Sequence, residues 1–277
     1  FPENEMLGID IVIPDVTYLE ENKARIKGIF LTHGHEDAIG SISYLLNKIQ
    51  APVYGSRLTI ALAKEHLKEL PAAQPVKFFE VTNKSRMNFK STHVTFFHTT
   101  HSIPDSLGIV FHTSEGAIVH TGEFKFDQAA KGSYRPDIAK MAGLGEEGVF
   151  ILMSDSTEAE RPGYTTSESV VEEHLSETFH GAKGRILVSL YSSNFIRIQQ
   201  VFDTAIESRR KVAVVGKTLE TVFEVGKRLD YLQVDEETLI SIKDIGNYED
   251  HEVVIIVSGT QGEPIEALEK MVRKHHK

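Results

Sequence analysis

The amino-acid sequence predicts an α/β protein with two domains. Short β-rich runs alternate with amphipathic helical stretches along the chain, and its 277 residues fit two domains of ordinary size. The hydrophobic fraction of 40% is that of a globular protein. No apolar run approaches the roughly 18–20 residues that a membrane span needs. We therefore expect a cytoplasmic protein without a membrane partner.

The first domain is predicted over residues 1–180 and contains a mixed sheet. Ile29–Thr32 predicts a strand, and apolar residues at helical spacing follow from Asp37 to about Lys48. Closely spaced β-rich runs then predict an antiparallel meander with strands over His93–Thr100, Leu107–Thr113 and Ala117–Thr121. A strand at Val149–Met153 and a helix near Ser167–Phe179 complete the domain.

The second domain is predicted over residues 181–277, because Gly181-Ala182-Lys183-Gly184 interrupts the pattern there. Apolar strands alternate with helices beyond this break, which favours a parallel sheet with helices on its faces. Strands are expected over Arg185–Leu190, Lys211–Val215, Leu239–Ile242 and Val253–Val257. Helices are expected near Asn194–Glu207 and Leu219–Leu229 and at the terminus.

Composition restricts the chemistry of any site. The chain has no cysteine, so a metal ion can be held only by His, Asp and Glu. Of its 13 histidines, eight lie between His33 and His120, which suggests a metal site. The formal net charge of −10 argues against a surface that binds nucleic acid everywhere, although a local basic groove is compatible with it.

The strongest metal-binding motif is His33-Gly34-His35-Glu36-Asp37, between a strand end and a helix start. In an extended loop, residues two apart project to the same side, so His33, His35 and Asp37 can converge on one ion. Imidazole and carboxylate suit Zn or Mn in a hydrolytic site. His101 and Glu123 also follow predicted strands; either alone could be structural, but together with the first motif they become candidate ligands.

The sequence resembles the metallo-β-lactamase superfamily, and within it the β-CASP ribonucleases of the ribonuclease J family. The resemblance implies a partial αββα sandwich over residues 1–180 and a partial three-layer β-CASP domain over residues 181–277. It also implies that the family's first strands, the rest of the second domain and a C-terminal domain lie outside this sequence. The matching stretches are Leu31–Asp37, Thr99–Ser106, Thr121–Asp127, Ser154–Thr157, Ser193-Asn194 with Arg197, and Gly259–Pro264.

Two departures from the family pattern concern the metal ligands. The family motif has a histidine where this chain has Ala38, and an aspartate that bridges two metals where it has Glu123. The resemblance assigns His33, His35 and His101 to one metal, and Asp37, Glu123, the histidine missing at position 38 and a later histidine to a second. It therefore implies one well-formed site for Zn or Mn and a weakened second site. In this it is similar to the less active second paralogue that some bacteria keep beside a competent enzyme.

Other site residues follow from the same resemblance. Asp155 is expected to orient a metal ligand rather than to bind metal. Ser193, Asn194 and Gln261 are expected to contact RNA phosphates, although Ser193-Asn194 can equally be a helix N-cap. The family usually carries a histidine where this chain has Ile196, which weakens one expected RNA contact.

Two functions remain open at this stage. The first is a metal-dependent ribonuclease that cuts single-stranded RNA internally or in the 5′–3′ direction in rRNA maturation and mRNA decay. Asp37 and Glu123 would hold or orient the attacking water, and Ala38 and Glu123 would attenuate its activity. The alternative is a catalytically weak RNA-binding subunit that supports an active paralogue, in a homo-oligomer or hetero-oligomer. A small-molecule hydrolase of the glyoxalase or lactamase type would share the histidine motif but would not explain the second domain.

Overall fold

The computed structural model describes residues 8–9 and 11–259. Two compact units are present: Pro14–Thr165 forms one, and the chain from Thr166 forms the other together with the segment that ends at Ile13. This division falls before the helix that we placed at the end of the first domain. The boundary between residues 180 and 181 stays a prediction.

The unit Pro14–Thr165 contains two β-sheets. Its smaller sheet is parallel, with strand order β1-β2-β3, and its larger sheet is mixed, with order β4-β5-β6-β7-β8. The strands are β1 Ile29–Phe30, β2 Val53–Gly55, β3 Phe78–Glu80, β4 Arg86–Phe89, β5 Thr92–His98, β6 Leu107–Thr113, β7 Gly116–His120 and β8 Val149–Met153. The helices are α1 Thr17–Glu21, α2 Glu36–Ile39, α3 Ile42–Lys48, α4 Arg57–Glu69 and α5 Ile138–Glu147, with short 3₁₀ turns at Lys23–Arg25 and Gly132–Tyr134.

An aromatic core joins the two sheets face to face. Phe30 of β1 stacks on Tyr54 of β2 with ring centroids 4.9 Å apart. The same Phe30 ring lies 6.1 Å from Phe96 of β5 and 5.7 Å from Phe111 of β6. Strand residues alternate between faces, so Val94 and Phe96 enter this core while their neighbours point to the other side of the larger sheet.

Helices cover the outer faces of both sheets. Met141 and Leu144 of α5 pack on Phe97, Val110 and the neighbouring apolar residues of the larger sheet. Helix α4 packs on β2 and β3 of the smaller sheet. The order helix, sheet, sheet, helix is the αββα sandwich predicted from the sequence.

The second unit contains a parallel three-stranded sheet with order β10-β11-β9. Its central strand is buried on both faces, because Val253, Ile255 and Val257 enter one apolar cluster while Val254 and Ile256 are buried on the other side. The elements are α6 Glu168–Gly181, β9 Ile186–Ser189, α7 Phe195–Glu207, β10 Lys211–Val215, α8 Lys217–Arg228 and β11 Val253–Val257, with 3₁₀ turns at Ile242–Asn247 and Asp250–Glu252.

The predicted elements are largely confirmed, with two differences. The segment from Asp37 to Lys48 forms two helices, α2 and α3, separated by a turn at Gly40 and Ser41. The predicted strand at Leu239–Ile242 is wrong: Leu239 makes a single bridge to Val212, and the chain turns into a 3₁₀ helix capped by the Ser241 hydroxyl. The predicted terminal helix lies outside the described residues. In the described ranges, no helix combines the length and apolar character that would let it cross a membrane.

Candidate metal centre

Three strand ends bring the predicted ligands to one edge of the sandwich. The histidine loop follows β1, while His101 and Glu123 follow β5 and β7. Strands β5 and β7 both pair antiparallel with β6, so they run in the same direction and end at the same edge. Backbone hydrogen bonds join the loops: the Leu107 amide donates to the Thr32 carbonyl at 2.8 Å, and the Lys125 amide to the Thr100 carbonyl at 2.8 Å.

Four of the predicted ligands converge at this edge. His33, His35, His101 and Glu123 each offer one ligand atom, and these atoms all lie within 4.8 Å of one another. The three imidazole rings are mutually edge-on, with centroids 4.7–5.1 Å apart. Such a set provides the three imidazoles and one carboxylate expected around Zn or Mn.

The polar atoms of the cluster fit a cation better than they fit one another. Nε2 of His101 lies 2.9 Å from Glu123 Oε2, and Nε2 of His33 lies 3.4 Å from the same oxygen. Both nitrogens are buried. Although the distances are short, neither nitrogen makes a hydrogen bond. Buried polar nitrogens normally have a partner. A divalent metal between these atoms would supply one.

Hydroxyl groups orient two of the imidazoles. Thr32 Oγ1 lies 2.9 Å from His33 Nδ1, which turns His33 Nε2 toward Glu123. Ser102 Oγ lies 2.8 Å from His35 Nε2. Metal binding by His35 through Nδ1 is compatible with this contact, because the proton then sits on Nε2 and is donated to Ser102.

Charge and burial shift the acidities in the cluster. Burial, and then electrostatic interaction with His101 and His33, holds the pKa of His35 well below its usual value, which favours the neutral imidazole that a metal ligand must be. Contacts with His101 and then His33 hold the pKa of Glu123 well below its usual range. Burial of the carboxyl group and its contact with Glu123 raise the pKa of Asp37, although the residue as a whole is exposed.

The structure does not bring every predicted site residue into this cluster. Asp37 contacts Glu123 but is not among the four converging ligands of the described residues. The Asp155 carboxylate accepts hydrogen bonds from the Thr157 amide and hydroxyl, and its amide donates to Thr121 Oγ1. The ligand role of Asp37 and the orienting role of Asp155 stay predictions.

The predicted phosphate contacts lie in the second unit. The Asn194 side chain accepts a hydrogen bond from the Arg197 amide at 3.0 Å and so caps α7. This is the helix N-cap that was the alternative to a phosphate contact. Ser193 precedes this cap. Gln261 lies outside the described residues. A phosphate role for these three residues stays a prediction.

Ser102 and Thr32 had no predicted role at this site. Both stand beside a predicted ligand, Ser102 after His101 and Thr32 before His33. A hydroxyl next to a ligand was the available signal. It did not indicate that Ser102 contacts His35, a ligand from another loop.

Comparisons with known proteins agree with this architecture. Residues 8–143 match the family model of the β-lactamase superfamily domain, and residues 183–277 match the β-CASP domain of ribonuclease J. The chain belongs to the ribonuclease J family. Ribonuclease J 2 proteins of Staphylococcus aureus and Staphylococcus saprophyticus are 56% identical to it over all 277 residues. The chain spans 50% of the length of each of these relatives.

A solved structure shares the fold of this chain at low sequence identity. It is a protein of unknown function from Enterococcus faecalis V583, with a TM-score of 0.58 and 12% identity over 85% of this chain and 59% of that one. At this identity the likeness concerns the fold alone.

Proposed function

We propose that this chain provides the metal centre and part of the RNA-binding surface of a metal-dependent ribonuclease of the ribonuclease J type. The observation that carries the proposal is the convergence of His33, His35, His101 and Glu123 in a chain whose residues 183–277 match the ribonuclease J β-CASP domain. The substrate is single-stranded RNA, cut internally or in the 5′–3′ direction in rRNA maturation and mRNA decay. We place the protein in the cytoplasm, in a homo-oligomer or a hetero-oligomer with a paralogue.

The histidines and the acidic residues of the site have different proposed roles. Zn or Mn would act as a Lewis acid on a phosphodiester oxygen and would lower the pKa of a water molecule. His33, His35 and His101 would hold the ion. Glu123, which its imidazole neighbours keep ionised, would orient the water, and Asp37 beside it, whose pKa is raised by burial and by Glu123, would accept its proton.

The same residues support a slow enzyme. The Ala38 side chain has no atom that can bind a metal, and Asp37 and Glu123 contact each other in the described structure. We therefore propose one tightly held metal and a second, weakened site. Ala38 also favours the second candidate function, a catalytically weak RNA-binding subunit beside an active paralogue.

Metal-dependent cleavage of 5′-monophosphorylated single-stranded RNA by the full-length protein tests the proposal. The protein is treated with a chelator and then supplied with Zn or Mn. We expect slow cleavage that returns with the metal and disappears in His101→Ala, while RNA binding persists. His174→Ala, on the exposed surface of α6, is the matched control and should cleave like the wild type.

Two other outcomes separate the candidates. RNA binding without cleavage at any metal concentration would favour the partner subunit over the enzyme. Absence of both RNA binding and metal binding would contradict both functions.

A further inference from the structure

One face of helix α4 lies against the loop that carries the metal ligands. A Cβ atom built on Gly34, between His33 and His35, would lie 2.7 Å from Leu62 Cδ1 and 3.6 Å from Thr59 Cα. The loop backbone therefore approaches α4 as closely as a glycine allows. Thr59 and Leu62 are buried and three residues apart, so they share one face of the helix.

The same face reaches the loop again through a polar contact. His66, four residues after Leu62, places Nε2 3.3 Å from Glu36 Oε2. Glu36 stands between His35 and Asp37 in the sequence and begins α2. Its carboxylate folds back over Gly40, where a side-chain Cβ would meet both the carboxylate and, at 2.6 Å, the Glu36 carbonyl oxygen.

Helix α2 depends on contacts with α4 because it is too short to be stable by itself. It has four residues, and the His35 side chain makes no capping hydrogen bond at its start. A single turn is far below the roughly 12–15 residues at which an isolated helix becomes even marginally stable. Helix α4 has 13 residues, a Ser56 cap and a row of buried side chains, so it is the rigid partner.

We propose that His66 is a positioning residue for the metal centre, acting through Glu36 at the start of α2 to hold the preceding loop, which carries His33 and His35, in its ligating conformation. The proposal rests on the metal-binding role proposed above. His66 contacts Glu36, which is not one of the four converging ligands. Its effect reaches the ligands through the backbone on either side of Glu36.

Metal binding to full-length variants tests this role. Affinity for Co²⁺ is measured by competition with a chelating dye, and the visible spectrum of bound Co²⁺ reports the ligand geometry. His66→Leu should lower the affinity about tenfold, the lower end of the range for groups that orient metal ligands, and should change the spectrum. His66→Gln keeps a side-chain N–H donor and should restore most of both.

A matched control and a second variant exclude general damage to the fold. His174 and Glu177 form another His–Glu pair, 3.6 Å apart on α6, so His174→Leu should bind Co²⁺ as the wild type does. If His66→Leu unfolds more easily without metal, Glu36→Ala tests the contact from its other partner. Because the two residues act as one unit, the double variant should lose no more affinity than either single variant.

The outcomes distinguish this inference from the proposed function. Wild-type Co²⁺ affinity and spectrum in His66→Leu, or additive losses in the double variant, would overturn the positioning role and leave the metal centre intact. Failure of the wild-type protein to bind Co²⁺, Zn²⁺ or Mn²⁺ would overturn the metal centre itself.

Discussion

Two side chains, Ala38 and Glu123, depart from the ribonuclease J pattern at positions that this pattern assigns to metal ligands. Ala38 lies in α2 and offers no donor, and Glu123 places its carboxylate one methylene farther from the backbone than the usual aspartate. Three other predicted ligands, His33, His35 and His101, converge with Glu123, and none of the three is changed from the family pattern. We infer that these two positions limit the second metal rather than the first.

Restoring both positions should raise activity far more than restoring either one. Ala38→His supplies an imidazole, and Glu123→Asp withdraws the carboxylate toward the bridging position. Since ligands of one ion act as a unit, each change alone should have little effect, and both together should raise Mn-dependent RNA cleavage by orders of magnitude. The assay compares the four full-length proteins on 5′-monophosphorylated RNA. If the double variant binds a second metal yet cleaves no faster, substrate positioning, for instance at Ile196, limits the reaction.

The hydroxyl of Ser102 should matter for metal affinity although it is not itself a ligand. Ser102→Ala removes the group 2.8 Å from His35 Nε2 and leaves the ring orientation unfixed. We expect metal affinity to fall about tenfold to hundredfold, as for other groups that orient ligands, and Ser102→Thr to retain it. Isothermal titration of the three proteins with Zn²⁺ measures the effect. Equal affinities would mean that packing alone orients His35.

At the scale of elements, helix α4 links stability to pH through His66. The contact with Glu36, followed by the charges of Glu36, Glu69 and Glu65, raises the pKa of His66 although burial opposes the shift. A raised folded-state pKa stabilises the protein below the unfolded value of about 6.5, and this contribution disappears as pH rises through the folded value. Metal-free wild type should therefore exceed His66→Gln in unfolding free energy at pH 6, by an amount that shrinks toward pH 9. Urea denaturation at each pH measures the difference; a constant difference would contradict the charge account.

A double substitution at the start of α7 separates helix capping from the proposed contact with RNA phosphates. Ser193→Ala with Asn194→Ala removes the cap on the Arg197 amide and should cost about 0.5–2 kcal/mol of stability. If these side chains also contact phosphates, RNA affinity should fall, and the slope of log affinity against log salt should become shallower. Unchanged RNA binding in the full-length variant would leave the pair with its capping role alone.

Elements were easier to predict than the contacts between them. The meander over β5, β6 and β7 and the parallel strands β9, β10 and β11 follow from local alternation and apolar runs. The strand prediction at Leu239–Ile242 was wrong because this segment is irregular, although Ile240 and Ile242 pack onto the apolar cluster of β10 and β11. A short apolar run in the sequence does not distinguish such a segment from a strand. The contact of His66 with Glu36 depends on how α4 packs, so no sequence motif near either residue predicts it.

At the scale of the whole molecule, all four converging ligands belong to the unit Pro14–Thr165. Metal binding to the folded state stabilises only the part of the protein that holds the ion, by about 2.7 kcal/mol when free metal exceeds its dissociation constant a hundredfold. Calorimetry of the full-length protein should therefore show one unfolding transition that rises with added Zn²⁺ or Mn²⁺ and others that do not move.

Stoichiometry completes this prediction, because the Ala38 side chain offers no donor to the second metal site that we propose. Elemental analysis after removal of loosely held metal should find clearly fewer than two equivalents per chain, and the calorimetric shift should reach its full size near one equivalent. His101→Ala should abolish the shift, while His174→Ala, in the other unit, should preserve it. Two tightly held ions in the wild type would show that Glu123 or solvent replaces the missing imidazole. The low activity proposed for this chain would then have to arise away from its metal centre.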